Sequence, residues 1–217
     1  MKKEHDKLED YYFFQTAVYK IQKLDFLDKI RSVSIESVTE VNKDLELNDL
    51  YPIRMSADLA QDPRLEDFSK YVLGTAWNIL DSQGYEMDYF DVGFSSMWFQ
   101  EHHKYSGMDT HVHGEGTQLN AFYFVDVPEN GSKMILHDPR SGKALIDLPQ
   151  KDIKEINQAS KMVVISPEPG DLFFTNAYVP HSFSKNGSDK SFNFIHMNIF
   201  ASPHREQSCS VDGPEII

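Results

Sequence analysis

The sequence predicts a mainly β protein preceded by helices, and three observations lead there. Helical periodicity dominates the first 90 residues, the apolar pattern then breaks into short β-rich runs, and turns containing glycine and proline separate those runs. At 217 residues, with 40% hydrophobic and 12% aromatic residues, the chain is long enough to bury one sizeable core without crosslinks. The expected organisation is a single domain: a helical region over 1–90, a strand-rich core over 91–203 and a loosely ordered tail over 204–217.

The clearest helix is expected over residues 62–83. Asp62 is a candidate N-cap, Pro63 occupies the first helical position, Glu66 and Asp67 fall in the first turn, and Gly84 follows the end. Leu65, Phe68, Val72, Ala76 and Ile79 recur at three- and four-residue steps, an apolar stripe that should lie on a sheet. A weaker pattern at Leu24, Leu27 and Ile30 precedes it. Strands are expected over 92–100, 118–127, 133–138, 161–166, 171–175, 181–184 and 191–200. The separators Pro128 to Gly131, Pro139 to Gly142, Pro167 to Gly170 and Asn186 to Gly187 carry turn chemistry. Many short strands with such turns read as a sandwich or a barrel.

Composition narrows the function classes. Cys209 is the only cysteine, so an intrachain disulfide is impossible and thiolate metal chemistry is nearly excluded. The formal charge of −13 is spread along the chain, which argues against a phosphate grip on nucleic acid. No apolar run approaches the ~20 residues that span a bilayer, and the start lacks a signal-peptide pattern. A cytoplasmic protein without a nucleic-acid or membrane partner is expected, and self-association is left open.

Histidine and carboxylate chemistry remain, and they concentrate in Asp109-Thr-His111-Val-His113-Gly-Glu115. On a strand, residues i and i+2 share a face about 7 Å apart, so the imidazoles of His111 and His113 can converge on one ion. A second frame, His113 with Glu115, is the alternative; Gly114 and Gly116 flank Glu115 and suggest that the strand is turning there, which favours His111 and His113. The third ligand is expected at His181, which enters a strand after Pro180. His102 and His103 would face opposite sides and are read as structural; His5 and His204 are read as solvated and His137 as polar strand surface. His196 shares a strand face with Lys190 and is a candidate cavity residue, whereas Trp98 and Phe122 are read as core.

Taken in order, Trp98, Gly107, the pair His111 and His113, FYFVDVPENG (122–131), HDPR (137–140), PEPGDLFF (167–174) and His181 resemble the iron(II) and 2-oxoglutarate-dependent oxygenases, in particular a branch found in phage and marine bacterial sequences. The resemblance covers about residues 92–200 and implies a double-stranded β-helix, a jelly-roll or cupin-like barrel with Fe2+ at its open end and helices outside. It implies His111, His113 and His181 as metal ligands and 2-oxoglutarate as co-substrate, with hydroxylation of an unidentified small-molecule or peptidyl substrate as the default reaction. The usual metal set is two histidines and a carboxylate; here His113 stands where the carboxylate is usual, leaving the ion its full 2+ charge. Lys190, nine positions after His181, matches the residue that pairs with the far carboxylate of 2-oxoglutarate, although Arg is more frequent there and Phe192 replaces a small hydroxyl residue. Asn120 and Tyr123 are further candidates for co-substrate binding. They alternate to opposite strand faces, so one of them is expected in the pocket, with Tyr123 preferred. Arg140 either contacts substrate or braces its turn. Two competing readings are a three-histidine cupin-type dioxygenase and a non-catalytic β-helix binding module.

Overall fold

The computed structural model describes residues 8–204 apart from Glu115. The expectations for His5, Glu115 and the tail beyond residue 204 therefore fall outside the described residues. Among the described residues, ten strands and two α-helices follow one another as β1 (Val18–Gln22), α1 (Leu27–Val41), β2 (Ile53–Met55), α2 (Glu66–Ser82), β3 (Phe90–His102), β4 (Met108–His111), β5 (Thr117–Asp126), β6 (Met134–His137), β7 (Met162–Ile165), β8 (Asp171–Asn176), β9 (His181–Phe183) and β10 (Phe192–Pro203). No helix among them is long and apolar enough to cross a membrane.

The strands form two antiparallel sheets. The larger has the order β1-β8-β5-β10-β3-β2 and the smaller β4-β9-β6-β7. Here the expectation of a closed barrel is overturned. Both sheets are open, no ladder among the described residues joins one to the other, and with the helical layer the architecture is mixed α/β, neither a mainly β fold nor a closed jelly roll. Residues 1–90, read from sequence as mostly helical, also supply β1 and β2, which extend the larger sheet at its two edges. The sheets meet face to face through apolar side chains.

Helix α2 forms where its sequence signals place it. The Asp62 carboxylate accepts from the Arg64 backbone N–H at 2.9 Å, and a single 3-10 turn, Pro63–Leu65, leads into the α-helix. All five residues of the expected stripe are buried: Leu65, Phe68, Val72, Ala76 and Ile79. They pack with Ile30 and Val33 of α1 against one face of the larger sheet, where Met97, Phe99, Leu119, Ala121, Tyr123, Leu172, Ile195 and Met197 point.

The opposite face of the same strands meets the smaller sheet. Phe122, Phe124, Phe173, Phe192 and Phe194 pack there with Met134, Leu136 and Phe183. Strands buried on both faces lose the alternation of apolar and polar residues, which is why β5 reads LNAFYFV and β10 reads FNFIHM. Two separate apolar clusters thus flank one sheet, and the site lies on the inner one.

Candidate metal centre

Strand pairing brings together residues seventy positions apart. Strands β4 and β9 are antiparallel neighbours with His111 directly opposite His181. His113 follows β4, and its backbone N–H donates to the Ala177 carbonyl at 3.1 Å, which turns the chain back over the same place. The ring centroids of His111 and His181 lie 4.4 Å apart, those of His111 and His113 5.1 Å, and those of His113 and His181 5.2 Å. One ring nitrogen of each lies within 4.8 Å of the others.

Tautomers are set by the backbone. The Nδ1 of His111 lies 2.8 Å from the Asp109 carbonyl oxygen and that of His181 3.1 Å from the Val179 oxygen. A carbonyl only accepts, so each Nδ1 carries the proton and each Nε2 presents a lone pair, the arrangement typical of metal-bound histidine. The Nε2 atoms of His113 and His181 are buried without a hydrogen-bond partner among the described residues. An orphaned buried acceptor is costly in an apolar interior, and a cation among the three would remove that cost. Burial also pushes His113 and His181 down to about 4, the mutual repulsion of the imidazolium forms adding to it, so these two are held as neutral donors.

Beneath the cluster lies a floor of rings from the larger sheet. His196 is 2% exposed, with its ring centroid 4.7 Å from Phe122, 4.5 Å from Trp98 and 4.7 Å from His113. Phe122 meets His181 edge-on at 5.2 Å. The candidate cavity residue of the sequence analysis is therefore a neighbour of the cluster, and Trp98 and Phe122, read as core, share that floor.

The register orders this wall into rows. Thr175, Asn120, Asn198 and Ser96 are successive cross-strand partners on β8, β5, β10 and β3. The next row holds Phe173, Phe122, His196 and Trp98, and the one beyond it Phe124, Phe194 and Gln100. The polar row escaped the sequence analysis except for Asn120. Its signal was the spacing of Thr175 from Phe173, and of Asn198 from His196, by two positions, which puts each pair on one strand face.

The remaining candidates go elsewhere. Tyr123 faces the helices, where its hydroxyl donates to the Lys23 carbonyl at 2.7 Å and its ring packs on Phe68; burial raises it to about 12. Asn120, not Tyr123, is the member of that pair on the inner face. Lys190 is exposed on the bend before β10. The His102 Nε2 lies 2.9 Å from the Gln100 side-chain oxygen and His103 pairs with Glu101, so neither joins the cluster. His137 ties three strands together through Ser182 at 2.9 Å and Thr110 at 3.2 Å. Arg140 braces its turn against Asp138, whose carboxyl is held down at about 2 by that hydrogen bond.

Comparison with known proteins agrees with this geometry. Residues 96–194, which contain all three clustered histidines, match a family model described as "Putative 2OG-Fe(II) oxygenase". No curated protein matches the sequence. Among solved structures, AviO1 from Streptomyces viridochromogenes Tue57 is similar with a TM-score of 0.61 at 13% identity, covering 88% of this chain and 92% of its own. A Pseudomonas putida prolyl-4-hydroxylase gives 0.57 at 10% identity, covering 85% and 92%. The viral collagen prolyl hydroxylase vCPH of Paramecium Bursaria Chlorella virus-1, described as a 2OG complex, gives 0.55 at 10% identity, covering 84% and 94%. The chain thus has the fold of the 2-oxoglutarate and iron(II) oxygenase superfamily, with a histidine cluster of metal-site character between its two sheets.

Proposed function

We propose that the protein is a non-haem iron(II) oxygenase in which His111, His113 and His181 hold the metal. The observation that carries this reading is the convergence of three ring nitrogens within 4.8 Å, two of them with their opposite nitrogens bonded to backbone carbonyls. These donors fit a divalent first-row ion: three neutral imidazoles on one side leave positions free on the other. Bound iron(II) would supply the activation of dioxygen for oxidation of an organic substrate, hydroxylation being the expected outcome. The chain's own part is to orient the imidazoles, keep those of His113 and His181 unprotonated by burial, and exclude water with the floor of Phe122, Trp98 and His196.

Similarity to the oxygenase family supports 2-oxoglutarate as co-substrate. The wall under the cluster fits its far carboxylate poorly. A buried carboxylate requires a cation or several donors, yet the inward-facing positions of β8, β5, β10 and β3 carry no Lys or Arg, and the neutral donors there, Asn120 Nδ2, the Thr175 hydroxyl and Trp98 Nε1, share the wall with the unmet oxygens of Asn120 and Asn198. Lys20 on the edge strand β1 is half exposed and already paired with Asp171 at 2.8 Å, and the rings of Phe124, Phe192 and Phe194 fill the deeper rows. That observation favours a second reading, a three-histidine dioxygenase whose substrate itself takes the metal's open positions.

Anaerobic reconstitution with iron(II) and metal analysis test the centre. One iron per chain is expected, with loss of stoichiometric binding in His181→Ala and retention in Glu115→Gln. Iron loss in the Glu115 variant would move the site to the other frame, and an iron-free wild type would end the proposal. Succinate release on addition of 2-oxoglutarate and oxygen separates the two readings: little or none is expected from the geometry of the wall.

A further inference from the structure

The row Thr175–Asn120–Asn198 has hydrogen-bonding capacity that nothing among the described residues uses. Asn120 is fully buried, and both its Oδ1 and Nδ2 lack a partner. Thr175, also fully buried, has an unpartnered Oγ1. Asn198 donates through Nδ2 to Ser96 at 3.1 Å, which leaves its Oδ1 unmet. One row deeper, Trp98 Nε1 is a further buried donor without an acceptor. Such groups cost free energy unless something satisfies them.

Their position relates them to the metal centre. Asn120 lies two residues from Phe122, hence about 7 Å along the strand from the row that touches His113 and His181. The side chains point between the sheets, on the same face as Phe122 and Phe124. A molecule chelating an ion at the histidines would reach this row with a short arm of two or three atoms.

The chemistry of the row selects the arm. Asn120 Oδ1 and Asn198 Oδ1 are acceptors, Asn120 Nδ2 is a donor, and the Thr175 hydroxyl is both. A carboxylate only accepts: it would satisfy Nδ2 and the hydroxyl but face two carbonyl oxygens with a desolvated negative charge. A carboxamide or a hydroxyl donates and accepts, and so completes the set. We infer that Thr175, Asn120 and Asn198 read an uncharged donor-and-acceptor group, a carboxamide or hydroxyl, on a ligand that chelates the metal. This inference rests on the metal-centre reading above and adds to it the class of ligand and the residues that choose it.

The test uses the full-length protein loaded with Co2+, whose absorption reports chelation, and three rigid probes sharing one chelating unit: pyridine-2-carboxylate, its 4-carboxylate and its 4-carboxamide. The carboxamide is expected to bind about tenfold or more tighter than the dicarboxylate, the value of one or two hydrogen bonds. Asn120→Leu and the milder Thr175→Val should remove that preference while leaving the armless probe unchanged, and Lys190→Ala should alter none of the three. Equal or tighter binding of the dicarboxylate would overturn the inference, as would a preference that survives both wall variants. Those results leave the metal centre standing, because Co2+ uptake is read first. Failure of Co2+ uptake overturns the metal-centre reading and the inference together.

Discussion

At the residue scale, the same side-chain type has opposite fates according to strand parity. Tyr123 and Phe122 are consecutive, yet the first donates to Lys23 in the helical layer while the second supports His181 in the inter-sheet layer. Tyr123→Phe is therefore expected to lower stability by about 1 kcal/mol through the lost hydrogen bond, measured by urea unfolding, and to leave metal uptake intact. Diminished uptake in that variant would contradict the assignment of faces. Histidine pairing was legible at this scale because His111 and His113 are close in sequence; the rank of Asn120 over Tyr123 was not, since parity says which residues share a face but not which face points at the site.

At the element scale, α2 was legible almost to its ends, because its cap, its leading proline and its apolar stripe are local signals. Strands β1 and β2 were not, because VYKIQ and IRM are short and gain their structure only by pairing with β8 and β3. The turn before β8 shows how such pairing is locked. Gly170 has φ +85°, its N–H donates to Phe124 and its carbonyl accepts from Lys23, both at 2.8 Å. A Cβ there would come within 2.5 Å of the Leu24 side chain. Gly170→Ala combines a left-handed backbone with that clash, and is expected to cost more than about 1 kcal/mol. A change in Tm too small to resolve would show that the loop rearranges.

At the scale of the whole molecule, burying histidines makes stability depend on pH. His102 sits between the sheets among Phe183, Phe192 and Phe194, and burial pushes it from 6.5 to about 4. Between these values the unfolded chain binds a proton that the folded chain does not. Stability is therefore full above pH 6.5 and falls as pH drops toward 4, by on the order of 3 kcal/mol from this residue. Denaturant titrations of wild type and His102→Gln should show a shallower loss in the variant over that window, and parallel curves would refute the assignment. By itself the sequence determined the capped helix, the run of strands, the turns between them and the candidate histidines, because each depends on contacts within a few residues. Only tertiary structure decided that the sheets stay open, that His181 lies opposite His111, and that an uncharged polar row, not Lys190, adjoins the ring floor beneath the cluster. Register between distant strands is a property of all the ladders at once, and no local pattern encodes it.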